Sequence, residues 1–211
     1  MSLDRSGLED LFWEILRDFE ELALRQYQSQ VPVLATAAKL DLAARLAERV
    51  PGTGNLENSE IAGPVRDLLA EAKQPDDVHT LIVQGLILEN LAQAIYGTVD
   101  QNPKVSEESR QLAAVGHAAS MSVTLQVPVL LLAKFPDSDK LFDEFAQRSH
   151  EILLRLDALG EGVDRLFGEP FSIHFKDVAG AFVARLIPIC NGMGMVRRKV
   201  VSHLAGSFMG L

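Results

Sequence analysis

The sequence has one cysteine and little clustered positive charge. Cys190 alone cannot form an internal disulfide, a redox dithiol or a zinc site made from cysteine pairs, which favours a reducing cytoplasm. The 211-residue chain has a net charge of -9, and its one local basic run is Arg197-Arg198-Lys199. Phosphate backbones and anionic membranes are bound by clustered lysine and arginine, so we predict neither nucleic acid nor membrane as a partner.

Long apolar runs and metal-ligand spacings are also missing. The longest unbroken non-polar stretch runs from Val127 to Ala133, counting Pro128, far short of the roughly 20 residues that cross a bilayer. The acidic amphipathic N-terminal stretch lacks the pattern of a signal peptide. None of the five histidines has a glutamate three residues before it, which argues against a di-iron site, and no close histidine pair supports zinc. We predict a cytoplasmic protein without a metal site; the sequence leaves any other cofactor open.

Helical periodicity, in contrast, covers most of the chain. Ser6 and Glu9 have the spacing of a capping box, which predicts a helix from about residue 6 toward Gln30. Further helices are predicted over about 35–50, 64–73, 77–96, 106–135, 138–166 and 175–209, the last with a disturbed stretch at 188–194. Breaks are predicted at Pro32 and Pro128, and turn or loop segments at 97–103 and 168–170. No segment has a convincing strand pattern. We therefore predict one all-α, multihelical bundle over residues 1–211.

One five-residue string occurs twice. Gln30-Val31-Pro32-Val33-Leu34 returns as Gln126-Val127-Pro128-Val129-Leu130, an offset of 96 residues (126 minus 30). Asp77-Val78 corresponds in the same way to Asp177-Val178, at an offset of 100 (177 minus 77). Two internal repeats, about 8–100 and 104–205, related by a pseudo-two-fold axis, explain both matches; chance similarity between amphipathic helices is the alternative.

Five residues are candidates for ligand contact: Gln30, Gln126, His117, Met121 and Asn191. The two glutamines adjoin the proline breaks, where they either line a pocket or satisfy freed backbone groups. His117 lies among small residues, with Met121 one turn later, so it either binds a ligand or serves as a core histidine. Asn191 lies in a glycine- and methionine-rich stretch that suits either an anion site or close packing.

The segments Val127-Pro128, Leu132 to Pro136 and Leu141 to Phe145 resemble the helix-proline-helix entry of the alkylhydroperoxidase D-like superfamily. That superfamily includes carboxymuconolactone decarboxylases and the two-repeat group I haloacid dehalogenases. The resemblance implies a two-repeat helical fold. The peroxidase-type Cys-x-x-Cys is absent, and no aspartate occurs between Gln111 and Phe135 to match the dehalogenase water-activating residue.

Three functions remain open from the sequence. The first is a soluble protein that binds a small apolar ligand between its two repeats. The second is an enzyme of dehalogenase or decarboxylase type, with an aspartate or histidine contributed from elsewhere in the fold. The third is a dimeric structural or adaptor protein, with the aromatic residues Phe12, Trp13, Phe19 and Tyr27 of the first helix as the homodimer surface.

Overall fold

A computed structural model describes residues 4–52, 78–134, 138–158 and 160–193, and within these ranges the chain forms helices and no strands. The predicted all-α class is therefore confirmed. The α-helices are α1 (Arg5–Gln30), α2 (Ala37–Arg49), α3 (Val78–Asp100), α4 (Glu107–Thr124), α5 (Val127–Lys134), α6 (Ser138–Ala158), α7 (Gly160–Phe171) and α8 (Phe175–Gly192), with a short 3-10 turn at Pro32–Leu34. The predictions for 55–77 and for 194–209 lie outside the described residues.

The start of α1 differs from the sequence-based prediction. Asp4, not Ser6, is the N-cap, and its Oδ1 accepts a hydrogen bond from the backbone N–H of Gly7 at 2.9 Å. The capping-box interpretation of Ser6 and Glu9 is thus wrong. Aspartate is as good a cap as serine, and its use two residues earlier lengthens the helix. The end of α1 at Gln30, directly before the proline, is as predicted.

The α3 helix is the centre of the bundle. Its most extensive packing is against α4, and it also contacts α1, α5, α6 and α8. Its large apolar side chains are buried on nearly all sides, including Ile82, Leu86 and Val99. A helix that is apolar around its circumference must be surrounded by other helices, so the predicted central position is confirmed.

Two predicted turns are misplaced. The α3 helix continues through Gly97 to Asp100, and α4 begins after its N-cap Ser106, whose hydroxyl accepts from the Ser109 N–H at 3.2 Å. The predicted turn at 168–170 is wrong, because α7 runs through Pro170 to Phe171. The reversal occurs instead at Ser172, which has a φ of 55°.

The aromatic residues of α1 form core contacts, not an external surface. The exposed fractions of Phe12, Trp13, Phe19 and Tyr27 are 2%, 0%, 9% and 1%. The Phe12 ring packs edge-on against Phe171 of α7, with 4.6 Å between the centroids. The prediction that these four residues form a dimer surface is therefore wrong, because burial against α7 and the other helices leaves little of them for a partner.

The two proline strings both interrupt helices, but in different ways. Pro32 begins the 3-10 turn between α1 and α2, whereas Pro128 is the second residue of α5, after a break at Leu125-Gln126. Both predicted breaks are confirmed. The superposition of two halves stays a prediction.

One segment of the described chain, Glu107–Ala133, is long and apolar enough to cross a membrane by length and composition, and 39% of its most apolar window is buried. Core helices of water-soluble proteins meet the same criterion, so this segment alone does not assign the protein to either environment.

Candidate functional site

The second proline break is stabilised by a local hydrogen bond from a polar side chain. The Gln126 side-chain amide donates to the Ser122 carbonyl at 3.0 Å, while the Gln126 backbone N–H bonds to Val123 instead. Gln126 thus satisfies a carbonyl that the helix break has freed, one of the two roles expected from the sequence. Gln30 is exposed at the last residue of α1.

A hydrogen-bond chain connects the neighbourhoods of the two breaks. Ser122 Oγ donates to the Ala119 carbonyl at 2.7 Å, so the 2.8 Å contact between Thr36 Oγ1 and Ser122 Oγ uses the Thr36 hydroxyl as donor. Thr36 also caps α2 by accepting from the Lys39 N–H at 3.2 Å. One hydroxyl therefore fixes both the start of α2 and its position against α4.

The most chemically suggestive of the predicted residues is His117. It lies on α4 facing Gly97 of α3 and Arg185 of α8, and these three residues are called the notch below. A Cβ added to Gly97 would lie 2.9 Å from Arg185 Nη2 and 3.5 Å from His117 Nε2. The two nitrogens are therefore at most 6.4 Å apart, the sum of those distances. Glycine at position 97 is what allows both side chains to approach α3.

The notch contains a buried nitrogen that has no hydrogen-bond partner. His117 Nε2 is buried without a hydrogen-bond partner, and within the described part of the chain no acceptor is recorded for the Arg185 guanidinium. Buried polar atoms are normally satisfied, and His117 Nε2 is one of six side-chain atoms in the described residues that are not. Two N–H groups within 6.4 Å suit the two oxygens of a carboxylate or another small oxyanion.

Nearby charges also set the protonation of His117. Burial and the positive charge of Arg185 lower the pKa of His117, and the negative charge of Asp100 at the end of α3 partly opposes them. Burial likewise lowers the pKa of Arg185. The imidazole is therefore neutral near pH 7. An anion placed in the notch would reverse this balance and favour the protonated ring.

The other candidate residues from the sequence are more exposed. Met121 lies one turn after His117 on α4 with 42% of its surface exposed, and Asn191 is exposed in the last turn of α8. Met121 shares the helix face of His117, because residues four apart lie above one another.

A second polar cluster lies in the core and was missed from the sequence. Glu20 of α1, Lys39 of α2 and Glu89 of α3, called the buried triad below, have exposed fractions of 1%, 0% and 0%. Lys39 Nζ bonds to the Glu20 carboxylate and lies 2.9 Å from that of Glu89. Tyr27 donates its hydroxyl to Glu89 at 3.0 Å, and Tyr96 donates to Glu20 at 3.1 Å.

The charges of the triad do not cancel when both glutamates are ionised. The pKa of Glu20 is raised to about 7, because burial raises it more than Lys39 lowers it and the negative charge of Glu89 adds to the increase. Burial alone would lower the pKa of Lys39, but Glu20 and Glu89 outweigh it and raise that pKa. Lys39 is therefore a charged hydrogen-bond donor and not a nucleophile. Protonation of one carboxyl leaves the cluster neutral.

A small depression lies beside the triad, between α1 and α3. It has a volume of about 300 Å³, part of it open to solvent, and its lining includes Phe19, Leu22, Tyr27, Leu81, Gly85 and Leu88. The lining is mostly apolar, and Tyr27 connects it to the triad through its hydrogen bond to Glu89.

Cysteine chemistry is not supported. Cys190 is buried in α8, and burial raises the pKa of its thiol to about 12, so the reactive thiolate is scarce at neutral pH. In the described ranges, no group of three or more histidine, cysteine, aspartate or glutamate side chains is arranged to hold a metal ion.

One feature of the sequence could have indicated one of the missed residues. Glu89-Asn90 is a polar pair inside the most apolar long helix, and charged residues are rarely placed there without partners. Lys39 carries no such signal, since the sequence does not reveal which face of α2 is buried. Arg185 is equally inconspicuous.

Comparisons with protein-family models, curated proteins and solved structures found no match to this chain.

Proposed function

We propose that this protein binds a small organic acid, with the carboxylate held in the notch by Arg185 and His117. The observation that carries the proposal is that His117 Nε2, buried without a hydrogen-bond partner, and the Arg185 guanidinium both face Gly97. The proposal refines the expectation of a small apolar ligand, because an anionic group could accept hydrogen bonds from both side chains.

The electrostatics make binding dependent on pH. Arg185 supplies a positive charge at all accessible pH values, whereas Asp100 offsets it and His117 is neutral near pH 7. A bound carboxylate stabilises the imidazolium, so binding is coupled to proton uptake at His117. The affinity should therefore increase as the pH falls toward and below the ordinary histidine value of about 6.5.

Isothermal titration with butyrate at pH 5.5 and 7.5 tests this function. We expect tighter binding at pH 5.5 and a loss of about tenfold or more in the Arg185→Gln variant, since a charge-assisted hydrogen bond contributes roughly 1.5–3 kcal/mol. Lys176→Gln is the matched control, because it removes the same charge from an exposed position on the same helix. Equal binding by both variants would refute the notch as the site.

The enzyme alternative also has one supporting observation. Asp100 lies close enough to His117 to raise its pKa, which provides the aspartate that the segment 111–135 lacks. In this second proposal Asp100 and His117 activate water against a short haloacid held by Arg185. Halide release from 2-chloropropionate that disappears in Asp100→Asn would support it, and no release by the unmodified protein would exclude it for that substrate.

The two-repeat arrangement of residues 8–100 and 104–205 is part of the same proposal. It is supported by the two proline strings, since Pro32 and Pro128 both follow the end of a helix. A homodimer remains an alternative, but the aromatic residues of α1 are not its surface. Light scattering at several concentrations would distinguish a monomer from a dimer.

A further inference from the structure

A row of exposed apolar side chains begins one turn after the notch. Met121 and Leu125 follow His117 at four-residue intervals on α4 and the break after it, with exposed fractions of 42% and 69%. Val129 and Leu132 of α5 continue the series at 67% and 43%. These four residues are called the apolar stripe below. They are four of the six large apolar side chains that the described residues leave exposed.

The stripe is unusual for a water-exposed helix face. The opposite face of α4 is buried and made mostly of small residues, among them Ala113, Gly116 and Ser120. Large apolar groups are therefore placed toward solvent while small ones pack against α3. Scattered apolar residues are common on surfaces, but a consecutive series adjoining a polar site indicates a binding surface.

We propose that the notch and the apolar stripe form one site for a single-chain amphiphile with a carboxylate head, such as a medium-chain fatty acid. The carboxylate binds between Arg185 and His117, and the alkyl chain lies along Met121 and Leu125. The proposal rests on the proposed function for its head group and adds the chemical class of the remainder of the ligand.

Charge and dimensions favour this occupant. The net charge of -9 opposes both an anionic membrane surface and a second copy of the chain, whereas a free acid carries one charge that the notch can accept. His117 and Leu125 are eight positions apart, about 12 Å along a helix at the usual rise, which a medium alkyl chain can span. The ligand would thus cover the notch and the first two side chains of the apolar stripe, Met121 and Leu125.

Titration with acids of increasing chain length tests the proposal. Each methylene that leaves water favours binding, so octanoate should bind the unmodified protein about tenfold or more tighter than butyrate. The double variant Met121→Ser, Leu125→Ser should lose this preference while keeping the affinity for butyrate. Butyrate serves as the internal control, because it contacts only the notch, and circular dichroism checks that the variant is folded.

The possible failures separate the two proposals. Equal affinity for butyrate and octanoate, both dependent on Arg185, would refute the proposal that the stripe binds the alkyl chain. It would leave the notch as the carboxylate site. Octanoate binding that is unchanged in Arg185→Gln would overturn the single combined site. Binding of neither acid would overturn the proposed function and this inference together. Binding to vesicles of zwitterionic phospholipid that is lost in the serine double variant would show that the stripe docks on membranes, contrary to the proposal.

Discussion

Replacing Glu20 by glutamine isolates the electrostatic cost of the buried triad. Glutamine resembles the protonated carboxyl in shape and has no charge. Its oxygen can accept from Lys39, and its amide can donate to the Tyr96 hydroxyl oxygen, which also accepts hydrogen bonds. The remaining pair of Lys39 and Glu89 is then neutral at every pH near 7. The variant should therefore behave as the unmodified protein does with Glu20 protonated.

The size and sign of the effect follow from the pKa of Glu20. Its value rises from 4.5 to about 7 on folding, so the folded state binds the proton more tightly than the unfolded state. This contribution to stability is fully present below pH 4.5 and is lost as the pH rises through about 7. A shift of this size corresponds to about 3 kcal/mol, of which roughly 2.5 kcal/mol is lost between pH 5 and pH 8.

Urea unfolding at pH 5, 6, 7 and 8 measures this difference. The free energies of unfolding of Glu20→Gln and the unmodified protein should agree near pH 5, and the variant should be more stable by about 2–3 kcal/mol at pH 8. Subtracting the free energy of unfolding of the unmodified protein from that of the variant at each pH cancels the contributions that both proteins share, including that of His117. Glu21→Gln, at the adjacent exposed position, removes the same charge outside the triad and serves as the control variant. A difference for Glu20→Gln that stays constant from pH 5 to pH 8 would refute the reasoning.

Four further predictions concern the buried lysine, two helical glycines and the cysteine. Lys39→Met should cost about 3–5 kcal/mol in unfolding free energy, because it leaves two buried carboxylates without a cation, and a loss below 1 kcal/mol would contradict the triad. Gly116→Ala should cost about 1–3 kcal/mol in the same assay, since its Cβ would lie 2.5 Å from the Tyr96 ring. Gly180→Ala, a helical glycine with nothing within 4 Å, should instead gain about 0.5–1 kcal/mol, and equal effects at the two glycines would refute the packing argument. Cys190 should react with a thiol reagent at pH 8 at least a hundredfold more slowly in the folded than in the urea-unfolded protein, and equal rates would show that the thiol is accessible.

The sequence predicted the helices because their signals are local. The period of apolar residues and the two prolines determined where α1 and α3 lie and where the chain breaks. Caps and turns were less predictable, since Asp4 and Ser6 are both good N-caps and tertiary packing lets α7 include Pro170. Such choices depend on contacts between distant residues, including the hydrogen bond from Arg5 to the Pro170 carbonyl.

The candidate sites were only partly predictable. His117 was recognised from its small neighbours, but Arg185 lies 68 positions later (185 minus 117), and nothing local indicates that they meet. The triad likewise draws its three charges from three helices. The aromatic residues of α1 gave a wrong prediction of a dimer surface. Aromatic residues on several sides of a helix occur both at interfaces and where a core surrounds the helix, so the pattern does not distinguish the two.

The three charges of the triad also restrict how the helices can align. Glu20, Lys39 and Glu89 belong to α1, α2 and α3, so all three helices must be in register before the ions pair. If α2 slid along its axis by one turn, about 5.4 Å, its apolar residues could still find apolar neighbours. Lys39 would leave both carboxylates, at a cost of about 3–5 kcal/mol for an uncompensated buried charge. An apolar core alone would tolerate several alignments of these helices, whereas the ion cluster penalises all but one.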